Sequence, residues 1–284
     1  SITPQQAAEI LTSVEEIEGA EPDYVYRLER NQKIDSPLSS ERPLEAETSV
    51  QLPLVAVLDS GLSQLYSASP FVSAYYDAFS STQHAADTLG HGTQMSLVAS
   101  GMVAPRGTEN KKIGQNRVVA VRTIDDNGFT STATLLKSID YAIAADARVI
   151  SMSWGTEESG QMLEKAVRYA SDRGLVLVAA AGNRPTGIAV YPAAYKNVIG
   201  VGALLPDGSV WEESNRGDFV SVYGFGIAEM PVGYNGSPGV YAGTSISTAY
   251  IANQVAHILQ TQPDSDISEI ITALKGNVSP EGLQ

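Results

Sequence analysis

The sequence predicts an α/β protein with a doubly wound, mostly parallel sheet and helices on both faces, preceded by an N-terminal extension. From residue 52 onward, short continuous apolar runs alternate with longer segments of helical periodicity. This alternation is typical of right-handed strand–helix–strand units, which build parallel sheets. Ligands of such sheets bind beyond the carboxyl ends of the strands, so functional residues are expected there.

The elements follow one another along the chain. Strands are predicted at 54–58, 118–121, 148–153, 175–181 and 197–201. Helices are predicted at 91–103, 130–145, 161–172 and 245–259. Thr130 or Ser131 is placed to cap the start of the second of these helices. The fourth lies within residues 230–263, which contain no charged residue, so it is expected to run through the core.

Charge separates an N-terminal extension, residues 1–50, from a second domain at 51–284. The extension holds 11 acidic and 4 basic residues, a net charge of −7 and half of the total of −14. A short helix is predicted within 5–17 and an extended stretch at 24–26. Residues 31–47, rich in Ser, Pro and charge, are predicted to form a linker or an arm on the surface.

Composition excludes several classes of function. The negative net charge argues against a nucleic-acid partner and an anionic membrane surface, because both would be repelled. The absence of cysteine excludes disulfides, thiolate nucleophiles and cysteine–zinc sites. No apolar stretch is long enough for membrane insertion. The compartment and oligomeric state stay open, although a secreted form, begun at Ser1 after loss of a signal, is slightly favoured over a cytoplasmic one.

Three histidines are available for catalysis. His84 lies in a polar segment and is predicted at the surface, whereas His257 lies in the uncharged helix and is predicted as a packed core residue. His91 has glycines on both sides, which let a substrate or another chain segment approach its ring closely. His91 is therefore the candidate for chemistry.

Three other polar residues lie where a site is expected. Asp59 ends the first predicted strand and is either functional or a turn cap. Ser245 begins the uncharged helix, where its hydroxyl and N–H can stabilise an oxyanion or simply cap the helix. Asn183 follows the strand at 175–181 and can donate its amide to the same oxyanion or serve as a turn residue.

The order Asp59, His91, Ser245, each in its local sequence, resembles the subtilisin-like serine peptidases. The resemblance covers about residues 52–275. The matching motifs are Val-Leu-Asp-Ser-Gly at 57–61, Gly-His-Gly-Thr at 90–93, Ser-Met-Ser-Trp-Gly at 151–155, Ala-Ala-Gly-Asn at 180–183, Tyr-Pro-Ala through Val-Gly-Ala at 191–203, and Gly-Thr-Ser at 243–245.

The resemblance implies a serine endopeptidase that acts on polypeptides through an acyl-enzyme intermediate. Ser245 would be the nucleophile, His91 the base and then the acid, and Asp59 the group that orients His91. Asn183 and the Ser245 N–H would bind the oxyanion. By the same resemblance, the substrate strand and its specificity pocket would be bound by Ser153, Trp154, Gly155, Ala181, Gly182 and Val190.

Some positions depart from the family pattern. Ile-Ser-Thr-Ala at 246–249 stands where Met-Ala-Thr/Ser-Pro is usual, Gln94 replaces a frequent histidine, and Gly-Phe-Gly at 224–226 replaces Ala-Pro-Gly. Val190 stands where some relatives have glycine, so the pocket is expected to be shallow and to prefer small or medium apolar residues. The changes after Ser245 keep an alternative open, a catalytically weak or inactive peptide-binding module of the same fold.

Catalysis by such a triad requires no cofactor. A structural calcium ion is compatible with the many carboxylates, but no regular ligand spacing assigns it, and most of the acidic residues are predicted to be solvated surface. Residues 16–26 faintly resemble the end of the family's inhibitory prosegments. The N-terminal segment is therefore either inhibitory or, as is favoured, an extension that packs on the catalytic domain.

Overall fold

The chain folds around a seven-stranded sheet in which every pairing is parallel. The computed structural model describes residues 3–13, 20–36, 53–82, 86–233 and 237–278. The strands are β1 (Val25–Leu28), β2 (Gln32–Ile34), β3 (Val55–Asp59), β4 (Val72–Asp77), β5 (Val118–Arg122), β6 (Phe129–Ser131), β7 (Val149–Met152), β8 (Trp154–Gly155), β9 (Val176–Ala180), β10 (Val198–Leu204), β11 (Val222–Phe225), β12 (Ile227–Met230) and β13 (Gly239–Ala242). The α-helices are α1 (Pro4–Thr12), α2 (His91–Ala99), α3 (Thr132–Ala144), α4 (Gln161–Ser171), α5 (Thr244–Thr261) and α6 (Ile267–Val278).

The large sheet has the strand order β11-β10-β9-β7-β3-β5-β4. Its central strands are buried on both faces, as their continuous apolar runs predict; all five residues of β3 are buried. Helices α2 and α5 pack on one face, and α3 and α4 on the other. The doubly wound α/β architecture is thereby confirmed.

The uncharged helix α5 is the centre of one core layer. Nearly every side chain along it is buried, because strands of the sheet and α2 pack around it. His257 differs from the expectation of a packed core residue, since it lies near the helix end and is partly exposed. Among the described residues, no helix has an apolar stretch long enough to cross a bilayer.

The N-terminal segment contributes strands to two small antiparallel sheets. β1 lies between β6 and β8, and β2 pairs with the edge of the β12–β13 hairpin. Part of the predicted linker at 31–47 is therefore a strand, and residues 37–47 lie outside the described part. The predicted helix within 5–17 is present as α1, and residues 14–19 again lie outside, as does His84.

Candidate active site

The predicted catalytic residues meet at the carboxyl edge of the large sheet. Asp59 is the last residue of β3, His91 the first of α2, and Ser245 lies in the first turn of α5. Asn183 follows β9 after a two-residue turn. Strand ends and helix starts gather there because every strand of a parallel sheet points the same way.

Asp59 and His91 form a buried pair. The His91 Nδ1 to Asp59 Oδ1 distance is 2.8 Å, and the two side chains are 0% and 1% exposed. The Ser60 N–H also donates to Asp59 Oδ1, at 2.8 Å, which fixes the carboxylate. With Nδ1–H directed at the carboxylate, the second ring nitrogen of a neutral His91 is left as a proton acceptor.

The close approach of α2 to the turn after β3 depends on Gly92. A side chain there would collide with the Gly61 carbonyl oxygen, and its Cβ would lie 2.7 Å from the Gly61 nitrogen. The Gly92 N–H donates to Ser60 Oγ at 2.8 Å. The sequence argument that glycine beside His91 permits close approach of another segment is therefore confirmed, and that segment carries Asp59.

Ser245 is fully buried, and its hydroxyl is engaged by the N-terminal segment. Ser245 Oγ donates to the main-chain carbonyl oxygen of Glu29 at 2.6 Å. His91 Nε2 is buried and has no hydrogen-bond partner within the described residues. The structure thus shows the Asp–His pair and the serine at one site, without the expected serine–histidine hydrogen bond.

Asn183 is held with its amide group directed at the same segment. Its Oδ1 accepts from the Thr244 N–H at 2.9 Å and from Thr244 Oγ1 at 2.8 Å. Because the Thr244 N–H can only donate, the amide oxygen must face it, and the orientation of the amide is determined. Nδ2 then donates to the carbonyl oxygen of Arg30 at 3.0 Å, one residue beyond the carbonyl that Ser245 binds.

The N-terminal segment crosses the site as an extended strand. β1 pairs antiparallel with β6 on one side and with β8 on the other, with Leu28 opposite Trp154. The Glu29 N–H donates to the Ser153 carbonyl at 2.9 Å. Beyond the site, β2 pairs with β13. This is the arrangement of a peptide bound by strand addition, running past Ser245.

All of the residues predicted to bind substrate lie at this strand, except Ala181. Trp154 and Gly155 form β8, and the Ser153 carbonyl accepts from the strand. A cavity of about 430 Å³ beside Glu29 is lined by Gly155 and Val190, and Gly182 lies against the Glu29 carboxylate. Ala181 is buried, and its carbonyl accepts from Asn215 Nδ2.

Two acidic residues of the N-terminal segment cap surface helices. Glu21 accepts from the Gln161 and Met162 N–H groups at the start of α4, at 2.6 and 2.8 Å. Asp23 accepts from the Ala133 N–H at the start of α3, at 3.2 Å. Ser131, one of the two predicted caps, is the N-cap residue of α3, but its side chain makes no capping hydrogen bond. Carboxylates suit these positions because helix N-termini are partially positive.

Other contacts at the site were missed by sequence reasoning. Gln94, noted only as a departure from a family pattern, is fully buried; its Oε1 accepts from Asn31 Nδ2 at 3.1 Å. Its Nε2 donates to the Val232 carbonyl at 3.0 Å. Glu29 belongs to an acidic stretch that reads as solvated surface, and nothing in its local pattern indicates that it lies beside Ser245.

The departures after Ser245 are accommodated by hydrogen bonds. Ser247 Oγ donates to the Gly224 carbonyl at 3.0 Å, and Thr248 Oγ1 donates to the Thr244 carbonyl at 2.7 Å. The first turn of α5 is thus anchored without a proline. Across the described part of the chain, no group of three or more His, Asp or Glu side chains is placed to hold a metal ion.

The parallel sheet, with an Asp–His pair and a helix-terminal serine at its carboxyl edge, defines a class, the subtilisin-like α/β proteins. The family model of the subtilase family matches residues 51–279. The chain belongs to the subtilase family.

Individual relatives agree with this assignment. Subtilisin Savinase from Lederbergia lenta is 30% identical over 80% of this chain and 84% of its own length. The minor extracellular protease Epr from Bacillus subtilis is 30% identical over 79% of this chain, but the match spans only 34% of that protein. The structure of fervidolysin from Fervidobacterium pennivorans, described as a keratinolytic enzyme related to subtilisin, superposes with a TM-score of 0.72 at 22% identity, covering 91% of this chain and 48% of fervidolysin.

Proposed function

We propose that this chain is a serine endopeptidase that uses Asp59, His91 and Ser245. The observation that carries the proposal is the position of Ser245 Oγ, 2.6 Å from a main-chain carbonyl oxygen of a strand bound in the manner of a peptide substrate. The buried Asp59–His91 pair lies at the same sheet edge. A nucleophile, an oriented base and a peptide carbonyl are the components that acyl transfer needs.

In the proposed reaction, His91 Nε2 takes the Ser245 hydroxyl proton while Oγ attacks the carbonyl carbon of the substrate. The peptide C–N bond then breaks, and His91 gives the proton to the leaving amine. Water hydrolyses the resulting ester by the same route in reverse. Asp59 stabilises the imidazolium that forms at each stage.

Asn183 Nδ2 and the Ser245 N–H are proposed as the oxyanion donors. Thr244 holds the Asn183 amide so that its N–H group points into the cleft, and the Ser245 N–H lies at the positive end of α5. Removing one such donor costs about 3 kcal/mol of transition-state stabilisation, a value known from subtilisin itself.

Fluorophosphonate labelling tests this function on the full chain. We expect covalent modification at Ser245, located by peptide mapping, and its loss in His91→Ala and Ser245→Ala. His257→Ala is the matched histidine control and should label normally, since His257 lies near the far end of α5. A folded chain that retains peptides but resists labelling even after long incubation, which lets the N-terminal strand open, would instead favour the peptide-binding module, for which the missing Ser245–His91 hydrogen bond is the supporting observation.

We also propose that residues 20–36 act as an intramolecular inhibitory strand. They occupy the cleft in substrate-like register, but the Ser245 hydroxyl donates to the Glu29 carbonyl oxygen and Asn183 binds the next carbonyl. The Glu29–Arg30 bond is therefore not aligned for rapid attack. Substrates from solution have to displace this strand before they can bind.

Mass spectrometry of the incubated chain, alongside a peptide-hydrolysis assay, tests the inhibitory strand. We expect activity to appear with a lag as the chain is cut after Glu29, and Ser245→Ala to stay intact. Full activity from the first seconds in a chain that remains uncut would contradict inhibition. It would support the reading of the segment as an extension that only packs on the catalytic domain.

A further inference from the structure

A glutamate side chain lines the cavity beside β1, whereas the sequence predicts a pocket for small or medium apolar residues. The Glu29 carboxylate Oε2 accepts from the Asn183 N–H at 3.1 Å. The backbone of Glu29 occupies the position of the residue before the cut bond, since its N–H is bound by Ser153 and its carbonyl by Ser245. Glu29 therefore reports how the specificity pocket binds a side chain.

The backbone around the pocket is shaped for this contact. Gly182 has φ +102°, a conformation that side chains other than glycine rarely adopt, and a Cβ there would lie 3.8 Å from the Glu29 carboxylate. This turn comes directly before the Asn183 N–H that binds the carboxylate. Val190, 7% exposed, lies against Gly155 and closes the wall of the cavity. A side chain that ends in a hydrogen-bond acceptor satisfies the Asn183 N–H, whereas an apolar one leaves this donor unpaired.

Charges around the cavity have both signs. Arg184 lines the cavity with Glu29, as does Arg27 of the strand itself. The Arg184 guanidinium also pairs with Glu157 Oε1 at 3.3 Å, and Glu158 lies on the same rim. Of these groups, Arg184 is the cation that belongs to the catalytic domain and would remain when another peptide replaces the strand.

Burial and the neighbouring charges act on Glu29 in opposite directions. Burial raises the pKa of its carboxyl above the ordinary value of 4.5, and the Asn183 N–H, then Arg184, Arg27 and His91, act in the opposite direction. The hydrogen bond and the nearby positive charge offset only part of the cost of burying the carboxylate, so its pKa stays raised. Arg184 is 75% exposed, so solvent weakens its effect on the Glu29 carboxylate to that of a surface charge.

We propose that the pocket formed by Gly155, Gly182, Val190 and the Asn183 N–H is selective for glutamate before the cleaved bond, with Arg184 setting its preference for a carboxylate over a neutral amide. This inference rests on the proposed peptidase function. It replaces the small or medium apolar preference that Val190 suggests with one defined by a hydrogen bond at the pocket wall. Glutamate-rich polypeptides are the corresponding class of substrate.

The first experiment maps cut sites made by the full chain in a denatured peptide mixture, read by mass spectrometry with Ser245→Ala as the blank. We expect cuts after Glu to exceed cuts after Leu or Ala at least fivefold relative to their abundance. Arg184→Gln should lower the ratio of cuts after Glu to cuts after Gln by about two- to fivefold, the range for an exposed charge. Arg173→Gln, which removes a cation that lies on the Tyr169 ring, is the matched control and should leave the ratio unchanged.

A second experiment decides the matter without turnover. In the Ser245→Ala chain, amide hydrogen exchange at Leu28 and Glu29 measures how firmly residue 29 holds the strand. The Leu28 and Glu29 amides should exchange at least fivefold faster in Glu29→Leu and in Glu29→Asp than in the parent. Equal or slower exchange in Glu29→Leu, or cut sites dominated by apolar residues, would overturn the glutamate pocket. If the chain cut no peptide, and if exchange were slow only in the parent with Glu29, the pocket would be upheld and the peptidase function refuted.

Discussion

Tyr26 is the side chain that should contribute most to holding the inhibitory strand in the cleft. It is 0% exposed and meets Trp154 edge-on, with 5.6 Å between ring centroids and 76° between ring planes. Truncation of a buried large aromatic residue costs about 3–5 kcal/mol. At the lower figure, Tyr26→Ala raises the open fraction of the strand about 150-fold, since 1.4 kcal/mol corresponds to a factor of ten.

Hydrogen exchange in the Ser245→Ala chain measures this opening, because no cutting occurs there. The Leu28 N–H donates to the Gly128 carbonyl at 3.0 Å and the Glu29 N–H to Ser153 at 2.9 Å, so both amides exchange only when the strand leaves. Tyr26→Ala should accelerate both about 150-fold. Amides of β9 in the central sheet should keep their rates.

Tyr169→Ala supplies the control, since Tyr169 lies on α4 and is 50% exposed. In Tyr169→Ala, the Leu28 and Glu29 amides should exchange at the same rate as in the parent. Acceleration of less than tenfold in Tyr26→Ala would refute the view that this side chain holds the strand. Equal acceleration of the β9 amides would also refute the reasoning, because the strand would then open only when the whole domain unfolds.

Three further substitutions test the site and its electrostatics. Asn183→Ala should lower kcat by two to three orders of magnitude for a peptide cut by the freed enzyme; a kcat within a factor of five of the parent would contradict an oxyanion role. Gly92→Ala should lower the free energy of unfolding by about 1–3 kcal/mol in urea titrations, because its Cβ would meet the Gly61 backbone, and an unchanged midpoint would contradict this packing. Because burial raises the pKa of Glu29 in the docked strand, docking is strongest below about pH 4.5 and weakens as pH rises through the raised value. The exchange rate of the strand amides, corrected for intrinsic rates, should therefore increase over this pH range, and Glu29→Gln should remove the increase. An unaltered increase in that variant would assign it to another group.

The sequence predicts the central sheet, the candidate catalytic residues and an extended stretch at 24–26 that overlaps β1, but not where β1 lies in the fold. Strands β3, β5, β7, β9 and β10 lie within a few residues of their predictions, because continuous apolar runs determine them locally. β4 has six half-buried residues and no such run, so no local signal marks it.

The position of β1 depends on partners far along the chain. Arg27 lies opposite Phe129 and Gly155, and its pairing is decided by edges that exist only after the domain has folded. Local pattern therefore predicts solvated acidic side chains in this segment, whereas Glu21, Asp23 and Glu29 each accept a main-chain hydrogen bond from residues beyond 51. Local pattern does not distinguish a solvated carboxylate from one that caps a distant helix.

The contacts of the inhibitory strand fall unevenly on the two sides of the Glu29–Arg30 bond. The N-terminal side holds two helix caps and all of β1, with Tyr26 and Leu28 buried. The C-terminal side holds Asn31, which is buried, and the three residues of β2, which are not.

Before the cut, each side holds the other at high effective concentration. After the proposed cut, we expect the N-terminal fragment, now a separate molecule, to keep the stronger contacts and to remain a product inhibitor. Specific activity of the cut protein should therefore rise on dilution, while that of the uncut chain should not, as initial rates over a hundredfold range of concentration would measure. Equal specific activity of the cut protein at every concentration would mean that the C-terminal side, with the weaker contacts, is the one that blocks the cleft.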